Sequence, residues 1–330
     1  MRPWHRSIWL CTFLSGCSAL YAIQACALQP LNLDKLTARL KASDSTPINI
    51  LQLGDSHTAA DWMSGEMRRL FQSQYGEGGI GFISATPVPG TRYDQVLLSA
   101  DSGQWNLISS RNQHSAEFPL GGYLSLPMKP DAQVTIGVRE PLGRSYRVSA
   151  LYRSAADSRL LADDGAHHNA MSLPSTSGQW RFSPTFDHLN LPLNLTITDN
   201  REVVLGGWNI ESQQPSGVTY SALGINGATL KGVDAWQSGW QQTLSALRPD
   251  LLVLAYGGNE AFDDQLDIEL YQHDLTEKLA LLRRALPYAV FLLVGPADSI
   301  KQRSGMSCED RQPKQLAQII QIQKIGRAHV

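Results

Sequence analysis

The tetrapeptide Gly54-Asp55-Ser56-His57 stands between an apolar run and the start of a helical pattern. A serine in that position can act as a nucleophile. Ligands of open α/β sheets bind outside the carboxyl ends of the strands, and the free N–H groups of a helix start can hold a developing oxyanion. Serine and aspartate are also favoured helix N-caps, so the tetrapeptide alone is compatible with a structural role. Two further turns add to it. Gly224-Ile225-Asn226-Gly227-Ala228-Thr229 follows the apolar run Val218 to Leu223, and Gly257-Gly258-Asn259-Glu260 follows Leu251 to Tyr256. Glycine lets a backbone N–H approach a ligand without a Cβ in the way, and the Asn259 side chain carries N–H donors. Either stretch alone is an ordinary turn signal. Together, a serine hydroxyl, backbone N–H groups and an amide at one sheet edge suit acyl transfer through an acyl-serine.

The elements that must position these residues are legible as short apolar runs closed by glycine. Ile48 to Leu53, Leu251 to Tyr256 and Val290 to Val294 read as buried parallel strands. Met63, Met67, Leu70 and Phe71 fall on one face of a helix closed by Gly76. Ile268, Leu275, Leu279, Leu282 and Leu286 form a second apolar stripe, stopped at Pro287. Strand alternating with helix predicts an α/β layer. From about Gln95 to Pro215 the period changes to two, as in Val134-Ile136-Val138, Tyr146-Val148-Ala150 and Leu193-Leu195-Ile197. Clusters of Gly, Pro, Asn and Ser separate these runs, which predicts an antiparallel β-sandwich. The expected organisation is a leader over 1–27, an α/β domain over 45–95 and 215–324, and an inserted all-β domain over 96–214.

The three glycine-bearing turns resemble blocks I, II and III of the SGNH (GDSL-type) hydrolases: Gly-Asp-Ser, then Gly, then Gly-x-Asn. The resemblance runs from about Pro47 to Gln95 and from Pro215 to Lys324. It implies a flavodoxin-like three-layer sandwich with a parallel sheet. Residue by residue, it implies that Ser56 is the nucleophile, and that the N–H groups of Ser56 and Gly227 and the amide of Asn259 form an oxyanion hole. His57 stands where leucine is commoner, and Glu260 where aspartate is. The run from Gly54 to Trp62, followed by Tyr75-Gly76-Glu77-Gly78-Gly79-Ile80-Gly81-Phe82, is more narrowly similar to bacterial peptidoglycan O-acetylesterases, which carry an insert resembling carbohydrate-binding modules. That likeness implies an O-acetylated glycan substrate, the 6-O-acetyl ester of N-acetylmuramic acid, with no cofactor or metal. Two alternatives stay open: an O-acetyltransferase acting on a polysaccharide, and a glycan-binding protein without catalysis.

The fourth block of the SGNH pattern, Asp-x-x-His, supplies the base that takes the serine proton. It is not found here. His273 lies opposite the apolar stripe of its helix, His329 is preceded at three residues by Gly326, and His57 does not match the base position. Cys308 has no partner once Cys11, Cys17 and Cys26 leave with the leader. The last residues, Lys324-Ile325-Gly326-Arg327-Ala328-His329-Val330, are what AAG-ATC-GGA-AGA-GCA-CAC-GTC encodes, a match to a common sequencing adapter. The expectation is therefore a non-native tail over 325–330, a true chain that continues to an Asp-x-x-His loop and a second cysteine, and near-inactivity of the chain as written.

The rest bounds the function class. Arg2, His5 and Arg6 head an apolar stretch that ends at Ala25-Cys26-Ala27, the pattern of an export signal. The expected location is the periplasm or the medium. Leu14-Ser15-Gly16-Cys17 resembles a lipobox, so membrane attachment is expected only if Cys17 is lipidated. With 42% hydrophobic residues, 18% charged residues and a net charge of -2, the chain is globular and has no basic surplus for nucleic acid. His167 and His168 with Asp163 and Asp164 could suggest a metal, but their Gly/Asn/Ser-rich setting favours a plain loop. Trp105, Trp180 and Trp208 in the insert could stack on sugars, although aromatic residues in a sandwich are more often core.

Overall fold

The computed structural model describes residues 33–113, 117–140, 143–199, 202–302, 304, 307 and 309–326. The leader with Cys11, Cys17 and Cys26, and also Cys308 and His329, lie outside the described residues. Helix α1 covers residues 33–41. Strand β1 (Ile48–Gly54) is followed by the short α2 (Ser56–Ala59) and by α3 (Trp62–Tyr75). The all-β region holds β2 (Gly79–Ile83), β3 (Val96–Ala100), β4 (Trp105–Ser109), β5 (Tyr123–Pro127), β6 (Ala132–Val138), β7 (Tyr146–Ser154), β8 (Ser158–Asp163), β9 (His168–Leu173), β10 (Arg181–Phe182), β11 (Phe186–Leu189), β12 (Leu193–Ile197) and β13 (Val203–Ser212). The α/β part resumes with β14 (Val218–Gly224), α4 (Trp240–Ala246), β15 (Leu251–Ala255), α5 (Gly258–Ala261), α6 (Ile268–Ala285), β16 (Val290–Val294) and α7 (Leu316–Gly326).

Four strands form one parallel sheet in the order β14-β1-β15-β16. The second strand of the α/β part lies outside the first and the third on its other side, which is the flavodoxin-like order. Register decides the site. Gly54 pairs level with Gly224 and with Ala255, and Ala255 pairs with Val294. The turns after β1, β14, β15 and β16 therefore leave the sheet at one edge. Alternation along the strands feeds two cores. Ile48, Ile50, Val218, Tyr220, Leu251 and Val253 pack with Leu36 of α1 and Phe71 of α3. Leu51, Leu53, Leu252 and Leu254 pack on the other face with Leu244 of α4 and with Leu275, Leu279 and Leu282 of α6.

The insert is two antiparallel sheets. One contains β10-β7-β13-β5-β4 with β11 on β7 and β2 on β13, and the other is β3-β6-β12-β8-β9. Their inward residues, among them Ile136, Val148, Leu195 and Trp208, make a core of their own. The observed pairing extends the sandwich backward in sequence. Strand β2 pairs with β13, from Trp208↔Ile83 to Glu211↔Gly79, although it precedes the expected boundary at residue 95. The two parts also share apolar contact: Phe118, Leu120, Leu151 and Trp180 from the insert cluster with Leu223, Leu230 and Trp236.

Helix α6 buries Leu275, Leu279 and Leu282 of the stripe read from the sequence, with Ile268 partly buried, and the buried Leu286 caps the helix just before Pro287. Helix α3 does not. Gly76 caps it and Phe71 packs on the sheet as expected, but Met63, Met67 and Leu70 are exposed, and the fully buried positions are Ser64, Gly65, Arg68 and Gln72. Hydrogen bonds explain this inversion. The Arg68 guanidinium donates from Nη1 to Asp61 Oδ2 (2.9 Å), from Nη2 to Asp61 Oδ1 (3.0 Å) and from Nε to the Tyr220 carbonyl (2.9 Å). Gln72 Nε2 donates to the carbonyls of Gly79 and Val218. An arginine this well partnered can be buried, so the polar stripe faces the sheet.

Candidate active site

Ser56 opens α2 directly beyond the end of β1. A side chain at Gly54 would place its Cβ 2.1 Å from Thr58 Oγ1 and 2.9 Å from the Ala255 carbonyl, so only glycine lets the chain turn here. The buried Gln52 amide ties strand to turn by donating to Thr58 Oγ1 (2.8 Å) and accepting from the Tyr220 hydroxyl (2.6 Å). Asp55 is the N-cap of α2 and accepts from the His57 N–H at 2.9 Å. Ser56 is half-buried, and no hydrogen bond joins its hydroxyl to a histidine among the described residues. The His57 imidazole is 78% exposed, with Nδ1 3.1 Å from Asp55 Oδ1, so it sits on its neighbour's carboxylate rather than on Ser56.

Asn259 and Ser56 line the same cavity, about 320 Å³ in volume, together with Trp62, Phe262 and Pro296. One N–H of the Asn259 amide is engaged, because Nδ2 donates to the Ala228 carbonyl at 2.8 Å. The other is available to a ligand. Gly227 lies in the tight turn that Ala228 closes on Ile225, and its φ of +74° is the left-handed value such a turn demands. The structure places Gly227 on an adjoining cleft of about 370 Å³ with Arg111 and Lys231, not on the cavity lined by Ser56 and Asn259. Arg111 comes from the insert, and a Cβ on Gly227 would fall 2.6 Å from its guanidinium carbon. The inserted domain thus borders this edge of the sheet.

Glu260 connects these turns. Its Oε2 accepts from the Gly257 N–H (3.0 Å) and its Oε1 from the Leu230 N–H (2.9 Å). Burial pushes the Glu260 carboxyl up, against the pull of those backbone donors. The sequence showed Glu260 only as an uncommon neighbour of Asn259. Its partner lies 30 residues upstream, and no local pattern reveals that.

The other sequence candidates have structural roles. Trp208 is in the sandwich core and donates to the Ala85 carbonyl, Trp180 packs in the shared core, and the half-buried Trp105 donates to the Gln133 carbonyl. Trp180 and Trp208 are buried, and Trp105 is partly buried against the sandwich core. Asp164 is a loop clamp that accepts from the N–H groups of Ala166, His167 and Asn190. Burial alone would raise its carboxyl, but those donors and the His167 ring hold it well below the usual aspartate range. No cluster able to hold a metal occurs among the described residues. His273 is exposed and pairs with Glu277.

A flavodoxin-like α/β domain bearing a serine and an asparagine at one strand edge, split by a β-sandwich, is the class that this fold and site define. Comparison with known proteins supplies a particular relative. Residues 78–194 match the family described as "Peptidoglycan O-acetylesterase, N-terminal". A solved structure described as "Peptidoglycan O-acetylesterase in action, 5 min" is 29% identical, with a TM-score of 0.78 over 90% of this chain and 80% of that one. The chain is similar to peptidoglycan O-acetylesterases in both sequence and fold. Two other structures align over smaller parts. A lipase/acylhydrolase from Enterococcus faecalis is 18% identical over 34% of this chain and 54% of that one, with a TM-score of 0.27. A carbohydrate-binding module from Cellvibrio mixtus lichenase 5A is 14% identical over 40% of this chain and 97% of that one, with a TM-score of 0.26. None of the curated proteins compared with the chain matches it.

Proposed function

We propose that the chain is an SGNH-type serine esterase that removes acetyl groups from a cell-wall glycan, acting in the periplasm or outside the cell. The observation that carries the reading is the pairing of Ser56 and Asn259 on one cavity at the carboxyl ends of β1 and β15. The likeness to a peptidoglycan O-acetylesterase supplies the substrate class. Among the described residues no helix is long and apolar enough to cross a membrane.

In this mechanism the Ser56 hydroxyl attacks the acetyl carbonyl. The carbonyl oxygen becomes an oxyanion, held by the Ser56 N–H and the free N–H of Asn259. The sugar oxygen leaves with a proton, and water then releases acetate from the acyl-serine. A serine that touches no imidazole keeps its proton at neutral pH, so the reading carries slow turnover for the chain with the contacts described above. The test therefore reads the covalent step. A fluorophosphonate probe at high concentration should label wild-type chain slowly on the Ser56 peptide and leave Ser56→Ala unlabelled. Equal labelling of both proteins, or labelling at another serine, would overturn the assignment.

A further inference from the structure

Trp62 is the first residue of α3 and is 71% exposed. Among the described tryptophans it alone is exposed. Met63 and Phe262, also exposed, line the same cavity as Trp62, so the indole belongs to a clustered apolar rim, which marks a contact site where a lone exposed ring would not. Its place is specific, since it lines the same cavity as Ser56 and Asn259.

The ring is also held still. The Arg92 guanidinium carbon lies 3.8 Å from the centroid of the Trp62 ring, so one face is covered by a stacked cation. Arg92 is itself anchored: its Nη2 donates to Asp94 Oδ1 at 2.7 Å, and its backbone N–H donates to the Ala59 carbonyl at 2.8 Å. The Asp94 N–H donates to Asp61 Oδ2, and Asp61 is the buried carboxylate that clamps Arg68. The turn before Trp62 and the strap behind its ring are therefore fixed by one buried carboxylate. The second face of the indole is free beside the nucleophile.

We infer that Trp62 is a sugar-stacking platform at the catalytic edge, and that it receives a pyranose ring of a β-1,4-linked N-acetylhexosamine strand. Such sugars carry their substituents equatorially, so axial C–H groups form a flat apolar face that matches an indole. Stacking there would hold the strand against the wall of the cavity, with an exocyclic acetyl ester near Ser56. The inference rests on the glycan-esterase reading and deepens it, because it places glycan recognition on the α/β domain beside the serine.

The experiment uses the full chain and needs no turnover. A soluble tetrasaccharide of alternating N-acetylglucosamine and N-acetylmuramic acid is titrated by calorimetry into wild type, Trp62→Ala and Trp62→Tyr. The expected result is binding by wild type, a loss of about tenfold in affinity for Trp62→Ala, and a Trp62→Tyr value within about threefold of wild type. Because Trp62→Ala could disturb the Arg92 strap, a second measurement uses wild type alone. The tetrasaccharide should protect Trp62 from oxidation by N-bromosuccinimide, read by mass on its peptide, whereas an α-1,4-linked glucose tetrasaccharide should not. Absence of binding by wild type, equal affinity of Trp62→Ala and wild type, or unprotected Trp62 would each overturn the inference. Ser56 labelling without glycan protection would refute the platform and leave the esterase standing. Protection without labelling would do the reverse.

Discussion

Asp61→Ala should be the most damaging single substitution in the α/β domain outside its apolar core. Asp61 is 1% exposed and accepts four hydrogen bonds: two from Arg68, one from Ser64 Oγ at 2.6 Å and one from the Asp94 N–H at 2.8 Å. Arg68 is 4% exposed. Removing the carboxylate leaves the guanidinium buried with one carbonyl partner, Tyr220, and its contact with the Tyr220 ring. Breaking a buried pair from one side typically costs about 3–5 kcal/mol. Scaled at about 2–4 °C per kcal/mol, the unfolding midpoint should fall by about 6–20 °C. Urea titration followed by circular dichroism reads the same loss as a lower midpoint concentration. The origin of the cost is testable, because Asp61→Ala/Arg68→Met removes the stranded charge and should recover at least about 1 kcal/mol of the loss. A single-variant cost below about 1 kcal/mol, or a double variant less stable than the single, would refute the reasoning.

Asn259→Ala should slow acylation of Ser56 by about a hundredfold, as for loss of one oxyanion donor, and rates of probe labelling check this; a change below threefold would reduce Asn259 to a turn residue. Gly227→Ala places a side chain at φ +74° against the Arg111 guanidinium. It should cost about 1–3 kcal/mol in urea titration. Excising residues 96–214 with a short linker should destabilise the α/β part, because Phe118, Leu120 and Trp180 pack on Leu223, Leu230 and Trp236; a cooperative transition near the wild-type midpoint would show that the parts are independent. Asp164 has its carboxyl depressed in the folded state, so its stabilisation is present above the ordinary aspartate pKa of about 4 and is lost as pH falls through the depressed value. Asp164→Ala should flatten that acid-side loss in pH-dependent melting and cost about 2 kcal/mol at neutral pH.

Much of the molecule was legible because its information is local. Apolar runs closed by glycine marked β1, β15 and β16, and the period-two stretches marked β6, β7 and β12. The order of Ser56, Gly227 and Asn259 followed from the turns themselves. Even so, Met63, Met67 and Leu70 of the α3 stripe pointed the wrong way, since hydrophobic periodicity cannot register an arginine neutralised by a carboxylate in the preceding turn. The boundary of the insert was also hidden, because β2 finds its partner β13 more than a hundred residues away.

Composition and spacing by themselves determined the element types, the split organisation and a candidate nucleophile. Each of those depends on residues within a few positions of one another. Only the tertiary structure decided which candidates share a cavity. It set Ser56 and Asn259 on one wall through the level register of Gly54 with Ala255, and it put Gly227 on the neighbouring cleft beside Arg111. It also buried Trp180 and Trp208 while leaving Trp62 exposed beside the serine. A residue's burial depends on what the rest of the chain packs against it, and those partners lie far away in sequence.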